Sequence, residues 1–349
     1  MAFCPPPPPG SRIAVVGGTG FLGAHIVREL AVAGYQPVAV ARRPELIHKL
    51  WPQVHAETRV ADVSDPDSLE AALVGCAAVH STVALVDQAF TSTRPEVEEQ
   101  LISTNVQGAL DVLRAAHLNG IGRVILAGSC SMRYQANGTV ARESSPPTDP
   151  ALVGDAYVRS KLALGEQAPA LADEFGLNLT ITMPGALFGP GDHQPSLFGG
   201  TIIKRLKGAA DPSIEGGMPL VDVRDVARAH VRAMARDRPA PAYLLVAETM
   251  PTKAWHDLIS ELSGAPVVER YISAKMALTM ARLAEAAAKL SGQPPRFTRD
   301  TIQHVAIDQQ FDCSLAREEL GLAFTPVAET LRDTIAWFGD NGKIDSSTN

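Results

Sequence analysis

The chain has 349 residues, 46% of them apolar, and a formal net charge of −7 at pH 7. That length suits one large α/β unit with an appended lobe and a sizeable core. The acidic balance argues against general nucleic-acid binding, which needs a basic face, and no apolar run reaches the length that spans a bilayer.

Residues 1–10 contain Pro5 through Pro9, with neither the basic start nor the apolar middle of a signal peptide. They read as a disordered, solvated polyproline tail. The four cysteines, Cys4, Cys76, Cys130 and Cys313, form no close pair of metal-ligand type and no disulfide framework. The expectation is a reduced, cytoplasmic compartment and no metal site.

An apolar strand at 12–16 runs directly into Gly17-Gly18-Thr19-Gly20-Phe21-Leu22-Gly23, and helical spacing follows over 24–31. Strand, glycine turn and helix together predict a dinucleotide site. Gly17 permits the tight turn, Gly20 lets backbone approach a pyrophosphate, and Gly23 lets helix pack closely on strand. The N–H groups of Thr19, Gly20, Phe21 and Leu22 stand where the helix dipole favours phosphate. A second strand, 37–41, ends at Arg42 and Arg43. An acid there would hold a free ribose 2′-hydroxyl; arginine suits a 2′-phosphate, so the reading favours NADP over NAD. A third strand, 58–61, leads to Asp62 and Val63 at the expected adenine edge. A fourth, 77–82, ends with Ser81 and Thr82, where backbone would pass the pyrophosphate and ribose, and His80 within it reads as a packed side chain.

Residues 96–119 are expected to be helical, with Asn105 at mid-helix either bracing a neighbouring active-site strand or serving as an ordinary helix asparagine. A fifth strand, 123–127, precedes Ser129, and strand carboxyl ends are where ligands bind in doubly wound folds. After a polar loop at 137–155 comes Tyr157-x-x-x-Lys161. Helical spacing places both on one face. An ammonium near the phenol would lower its pKa from about 10 and make Tyr157 a usable proton donor.

In these motifs the sequence resembles the extended short-chain dehydrogenase/reductase family. The resemblance rests on Gly17-x-x-Gly20-x-x-Gly23, Asp62-Val63, Asn105, Ser129, Tyr157-x-x-x-Lys161, Pro184-Gly185-Ala186-Leu187 and Val221-Asp222-Val223-Arg224-Asp225. It covers the chain from Ser11 to about Phe338. The resemblance implies that Ser129 orients the substrate oxygen and that Tyr157 moves the proton. It implies that Lys161 tunes Tyr157 and holds the nicotinamide ribose, and that Pro184 to Leu187 lie along the nicotinamide. Ser131 is the reserve for the serine role. Thr82 stands where the family often has alanine. Met183 replaces the arginine that many sugar-nucleotide epimerases of the family carry before this proline. With Arg42, that makes the chain resemble the dihydroflavonol-reductase-like branch, whose members reduce ketones or aldehydes with NADPH and whose relatives act on sterols. The family also implies a homodimer through the helices holding Asn105 and Tyr157.

The expected fold is a doubly wound parallel α/β sheet of Rossmann type with a smaller, mainly α substrate lobe. The cofactor-binding core with the catalytic residues spans 11–190. The lobe spans 191–338, interleaved with a return to the core at about 218–249, and 339–349 is a frayed tail. Residues 274–290 are an amphipathic helix whose methionines and leucines are expected to pack on the lobe's own core, with an apolar lid or peripheral membrane contact as alternatives. Trp337 and Phe338 read as core.

The reaction class that follows is NADPH-dependent reduction of a ketone or aldehyde, or the reverse alcohol oxidation, on a relatively apolar small molecule. No basic cluster for a nucleotide diphosphate is evident, although Arg205, Arg270 and Arg296 could meet in space. The alternatives are a sugar-nucleotide epimerase or dehydratase with bound NAD, a sterol-type 3-hydroxy dehydrogenase, and a non-catalytic NADP sensor.

Overall fold

The computed structural model describes residues 4–85, 95–136, 138–291, 295 and 298–344. Strand and helix first alternate: β1 (Arg12–Val16), α1 (Phe21–Val32), β2 (Gln36–Ala41), α2 (Leu46–Leu50), β3 (Glu57–Val60), α3 (Pro66–Leu73), β4 (Ala78–Ser81), α4 (Pro95–Ile102) and α5 (Gly108–Leu118). Next come β5 (Arg123–Ala127), α6 (Ala156–Phe175), β6 (Asn178–Pro184), β7 (Ala186–Phe188), α7 (Leu197–Leu206), β8 (Ser213–Ile214), β9 (Gly217–Asp222), α8 (Val223–Ala235) and β10 (Ala242–Leu245). The chain ends with β11 (Glu248–Pro251), α9 (Thr252–Ser263), β12 (Tyr271–Ile272), α10 (Ala274–Ser291), α11 (Arg299–Ala306), α12 (Ser314–Leu320) and α13 (Val327–Asp340).

Among the described residues, seven strands form one sheet in the order β3-β2-β1-β4-β5-β6-β10. Every pairing in it is parallel. Its central strands are apolar runs because both faces are covered. Helices α1 and α8 bury one face through Ile26, Leu30, Val226 and Met234, and α3, α5 and α6 bury the other through Leu69, Leu113 and Leu164. Strand order reverses between β1 and β4, and the crevice at their carboxyl ends is where such sheets hold ligands.

The smaller lobe has its own core around Phe188, Ile202, Leu220, Trp255, Leu331 and Phe338. Within 218–249 it is α8 and β10 that rejoin the large sheet, whereas β9 pairs with β7 and β11 in a separate three-stranded sheet. The Asp222-to-Asp225 motif is a fastening between them. Asp222 caps α8 by accepting the Arg224 N–H at 2.7 Å and receives the Thr330 hydroxyl of α13 at 2.8 Å.

Three expectations change. Residues 4–10 are not a solvated tail: the buried Arg123 guanidinium donates to the Cys4 carbonyl, Pro7 is buried, and Gly10 N–H donates to Gly34 at 2.9 Å. Arg123 makes no ion pair among the described residues; backbone carbonyls take its Nη1 and Nη2 donors, while its buried Nε has no partner. The carboxyl-terminal segment is tied down as far as Lys343, whose ammonium donates to the His193 carbonyl at 2.8 Å. In α10 the small residues Ala277 and Ala281 face the lobe, while Met276, Met280 and Leu283 are 52%, 45% and 68% exposed. Alanines allow close approach to Ile302 of α11, and that turns the larger side chains outward.

Candidate active site

The glycine turn is a fitted cradle. Gly17 has φ +83°, and a Cβ there would lie 2.7 Å from Thr82 Oγ1. A Cβ on Gly23 would overlap the Gly17 carbonyl. Gly20, by contrast, has only the Gly17 carbonyl near its Cβ position, at 3.2 Å. Helix α1 starts at Gly20 with no side-chain cap and no acid in its first turn. The Gly20 N–H, expected to face phosphate, is instead taken by the Gly17 carbonyl at 2.9 Å, while the first N–H groups of the helix itself, from Phe21 onward, remain open to an anion, which fits a pyrophosphate. Thr19, Phe21 and Leu22 lie on this turn. Gly23→Ala is expected to lower unfolding stability by about 1–3 kcal/mol through overpacking and to weaken NADPH binding, read by denaturant unfolding and fluorescence titration.

Arg42 and Arg43 follow β2, both exposed, and neither makes an ion pair among the described residues. Asp62 lies within electrostatic reach of Arg42. Its Oδ1 accepts the Ser64 N–H and hydroxyl at 3.0 and 2.8 Å, and those bonds hold the carboxyl below its ordinary range. Val63 is partly buried and packs toward Gly108. Thr82, the departure from alanine, has a structural explanation: its hydroxyl donates toward the Val16 and Gly17 carbonyls at 3.3 and 3.4 Å and props the turn. Ser81 is buried in β4, and His80 beside it is packed against His230 and Met234. Pro184, Gly185, Ala186 and Leu187 carry the chain from β6 into β7. Met183 is fully buried among the side chains beneath α6.

Ser129, Tyr157 and Lys161 converge at the end of β5. The Ser129 hydroxyl lies close enough to the Tyr157 phenol to favour its ionised form. It also accepts the Ser131 N–H and hydroxyl at 3.2 and 2.9 Å, so Ser131 stands behind Ser129. Lys161 Nζ lies 5.8 Å from the Tyr157 ring centre and 3.3 Å from the Ala127 carbonyl. The electrostatics differ from the simple expectation. Burial pushes the Tyr157 phenol up to about 12, against the pull of the nearby Ser129 hydroxyl, and pushes the Lys161 amine down to about 8. Desolvation outweighs the ammonium at this separation.

Asn105 is no ordinary helix asparagine, but what it braces is α6 and the segment after β4 rather than a strand. It sits in a π-helical turn, Ser103–Gln107, between α4 and α5, and π turns recur at functional sites. Its side chain pairs with Leu85 N–H and C=O at 2.6 and 3.0 Å and donates to Ser160 Oγ at 3.0 Å. Ser160 in turn donates to the Tyr157 carbonyl at 2.7 Å.

Two residues escaped sequence reasoning. Asp155 caps α6, accepting the Val158 N–H at 3.0 Å. His304 of α11 approaches it, Nδ1 to Oδ2 2.6 Å, and lies parallel to the Tyr157 ring with centres 6.5 Å apart. An Asp one residue before a helix was a readable cap; His304 lies too far along the chain for any local pattern. A cavity of about 890 Å³ lined by Arg28, His48 and Glu57 opens at the opposite, amino-terminal edge of the sheet.

The family model for the NAD dependent epimerase/dehydratase family matches residues 13–245. The chain belongs to that family. A Synechocystis protein named "Putative dihydroflavonol 4-reductase" is 30% identical to this family member over 338 residues, 95% of each chain. "Sterol demethylase protein B" of Methylococcus capsulatus is 29% identical over 332 residues, covering 95% of this chain and 99% of that one. The crystal structure of gox2253 superposes with a TM-score of 0.84 at 26% identity over 96% of this chain and all of the other. This epimerase/dehydratase-family protein is thus an NAD(P)-dependent oxidoreductase acting on carbonyl or alcohol groups. Among its described residues no helix is long and apolar enough to cross a membrane.

Proposed function

We propose that the protein is an NADPH-dependent reductase of a relatively apolar ketone or aldehyde, and in reverse an alcohol dehydrogenase. The observation that carries this reading is the convergence of Ser129, Tyr157 and Lys161 beside an uncapped helix that suits a pyrophosphate. Arg42 and Arg43, exposed and without ion-pair partners among the described residues, support NADPH over NADH. Arg205, a candidate for binding a nucleotide diphosphate, is buried and donates to the Ala209 and Pro266 carbonyls and to Ser260 Oγ. That commitment favours an apolar substrate over a sugar nucleotide. Arg296 lies outside the described residues. The Methylococcus relative's name refers to a sterol, which supports as a second reading the sterol-type 3-hydroxy dehydrogenase alternative.

When bound, NADPH supplies the hydride. Ser129 and Tyr157 hydrogen-bond the carbonyl oxygen as charge develops on it. Tyr157, whose phenol stays protonated at neutral pH, delivers the proton to that oxygen. Lys161, buried one helical turn on, stabilises the phenolate left behind. The test is nicotinamide absorbance with NADPH or NADH against a panel of ketones, aldehydes and sterol-like carbonyls. NADPH should be consumed in preference, and Arg42→Ser should reduce that preference by about 10- to 100-fold, the worth of a charge-assisted hydrogen bond. Equal use of both cofactors, unchanged in Arg42→Ser, would contradict the assignment.

A further inference from the structure

We propose that His304 and Asp155 form a latch that fastens the substrate lobe onto the catalytic helix, making His304 a positioning residue for Tyr157. The proposal deepens the carbonyl-reductase reading and rests on it for its kinetic arm. Asp155 is only 8% exposed, and its carboxylate is divided between two duties. Oδ1 accepts the Val158 N–H at 3.0 Å and so starts α6, in which Tyr157 is the second residue. Oδ2 lies 2.6 Å from His304 Nδ1 on α11. The carboxyl group shows the coupling: burial pushes its pKa up, yet the His304 contact and the helix N–H groups together hold it below the ordinary range.

The geometry about His304 is not that of a surface pair. Its ring is edge-on to Tyr134, 5.8 Å between centres at 66°, and parallel to Tyr157 at 12°. Immediately beyond it the chain is pinned to the rest of the molecule. The Ile307 carbonyl accepts from Gly217 at 2.9 Å, Gln309 Oε1 accepts from Gln135 N–H at 2.6 Å, and the Gln310 carbonyl accepts from Ala141 at 2.9 Å. Thus the carboxyl-terminal end of α11, next to this anchored segment, meets the helix that bears the proton donor. Asp155 Oδ2 is buried with no hydrogen bond of its own, so the imidazole 2.6 Å away is the polar group set against it, and removing that ring leaves the carboxylate oxygen alone in the interior, which is costly. The first turn of α6 must then move or admit water, and Tyr157 lies in that turn. Small misplacements of a reacting group are expensive in rate.

The variants separate this coupling from simple packing. His304→Ala removes the contact. His304→Gln keeps a donor for Asp155. Asp155→Ser keeps a helix cap but cannot hold the imidazole. We expect His304→Ala to lower kcat by about 10- to 100-fold with the NADPH dissociation constant within about twofold. His304→Gln should recover most of that loss, and Asp155→Ser should reproduce it. The Asp155→Ser/His304→Ala double variant should be no worse than either single one, the signature of one shared interaction. Hydrogen exchange supplies the arm that needs no substrate: amides of α11 and of the first turn of α6 should lose protection together in His304→Ala and regain it in His304→Gln. Additive losses, an unchanged kcat, or exchange confined to α11 would overturn the latch. Coupled exchange with no turnover of any carbonyl would keep the latch and count instead against the carbonyl-reductase reading.

Discussion

Tyr157→Phe is expected to lower kcat for carbonyl reduction by about 10²- to 10⁴-fold, the usual worth of a positioned general acid. NADPH binding should be nearly unchanged, because the change deletes one hydroxyl at the end of a partly exposed ring and leaves the glycine turn intact. Ser129 would keep its bonds from Ser131 at 3.2 and 2.9 Å, so a hydrogen bond to the substrate oxygen survives while the proton source does not. The informative readout is the split between parameters. A fall in kcat with steady cofactor affinity assigns Tyr157 to the reacting atoms, whereas parallel loss of both would make it a packing residue of the crevice.

Lys161→Met should cost about 10²- to 10³-fold in kcat/KM, the scale of removing one charge aimed at a developing anion in a dry site. The pH dependence gives this a sign. Burial pushes the Lys161 amine from 10.5 down to about 8. Below that value the ammonium is present and reduction is supported; as pH rises through about 8 it is lost, and kcat/KM should fall. The Tyr157 phenol, pushed up to about 12, stays protonated through that window and does not account for the fall. Lys161→Met should therefore flatten this limb as well as lower the whole profile. Stability runs the opposite way. Between about 8 and 10.5 the unfolded lysine still holds a proton that the folded one has released, so this group adds stability as pH rises and withdraws it as pH falls through about 8. Urea midpoints across that range, compared between the parent and Lys161→Met, measure the difference.

What was legible in the sequence was what local spacing carries. The strand-turn-helix at Gly17 to Gly23 and the one-turn separation of Tyr157 and Lys161 depend on residues close in sequence, and the periodicity of buried strands such as Arg123–Ala127 does too. Asn105 was readable as a buried amide with a need for partners, but not as part of a π turn, because its Ser160 partner lies 55 residues on. The sign of the Tyr157 shift was misread for a related reason. Spacing shows that an ammonium is near a phenol, but not how far each is desolvated, and here burial wins. His304 was invisible because α11 reaches the site only through the return of the chain after α10. The Pro5-to-Pro9 segment misleads in the other direction: its composition is that of a free tail, yet the Arg123 guanidinium, donating to the Cys4 carbonyl, holds its backbone on the core.

The measurement that tests the central claim most directly is hydride tracing under single turnover. Protein, NADPH carrying two deuterons at C4 of the nicotinamide and the best carbonyl of the panel are mixed, and product and cofactor are analysed by mass spectrometry. A reductase in which Tyr157 supplies the proton predicts one deuterium on the new alcohol carbon per NADPH oxidised, and no such product from Tyr157→Phe on the same timescale. A cofactor that keeps both deuterons, or product formed with no net oxidation of NADPH, would contradict the account and identify a hydride-recycling enzyme instead.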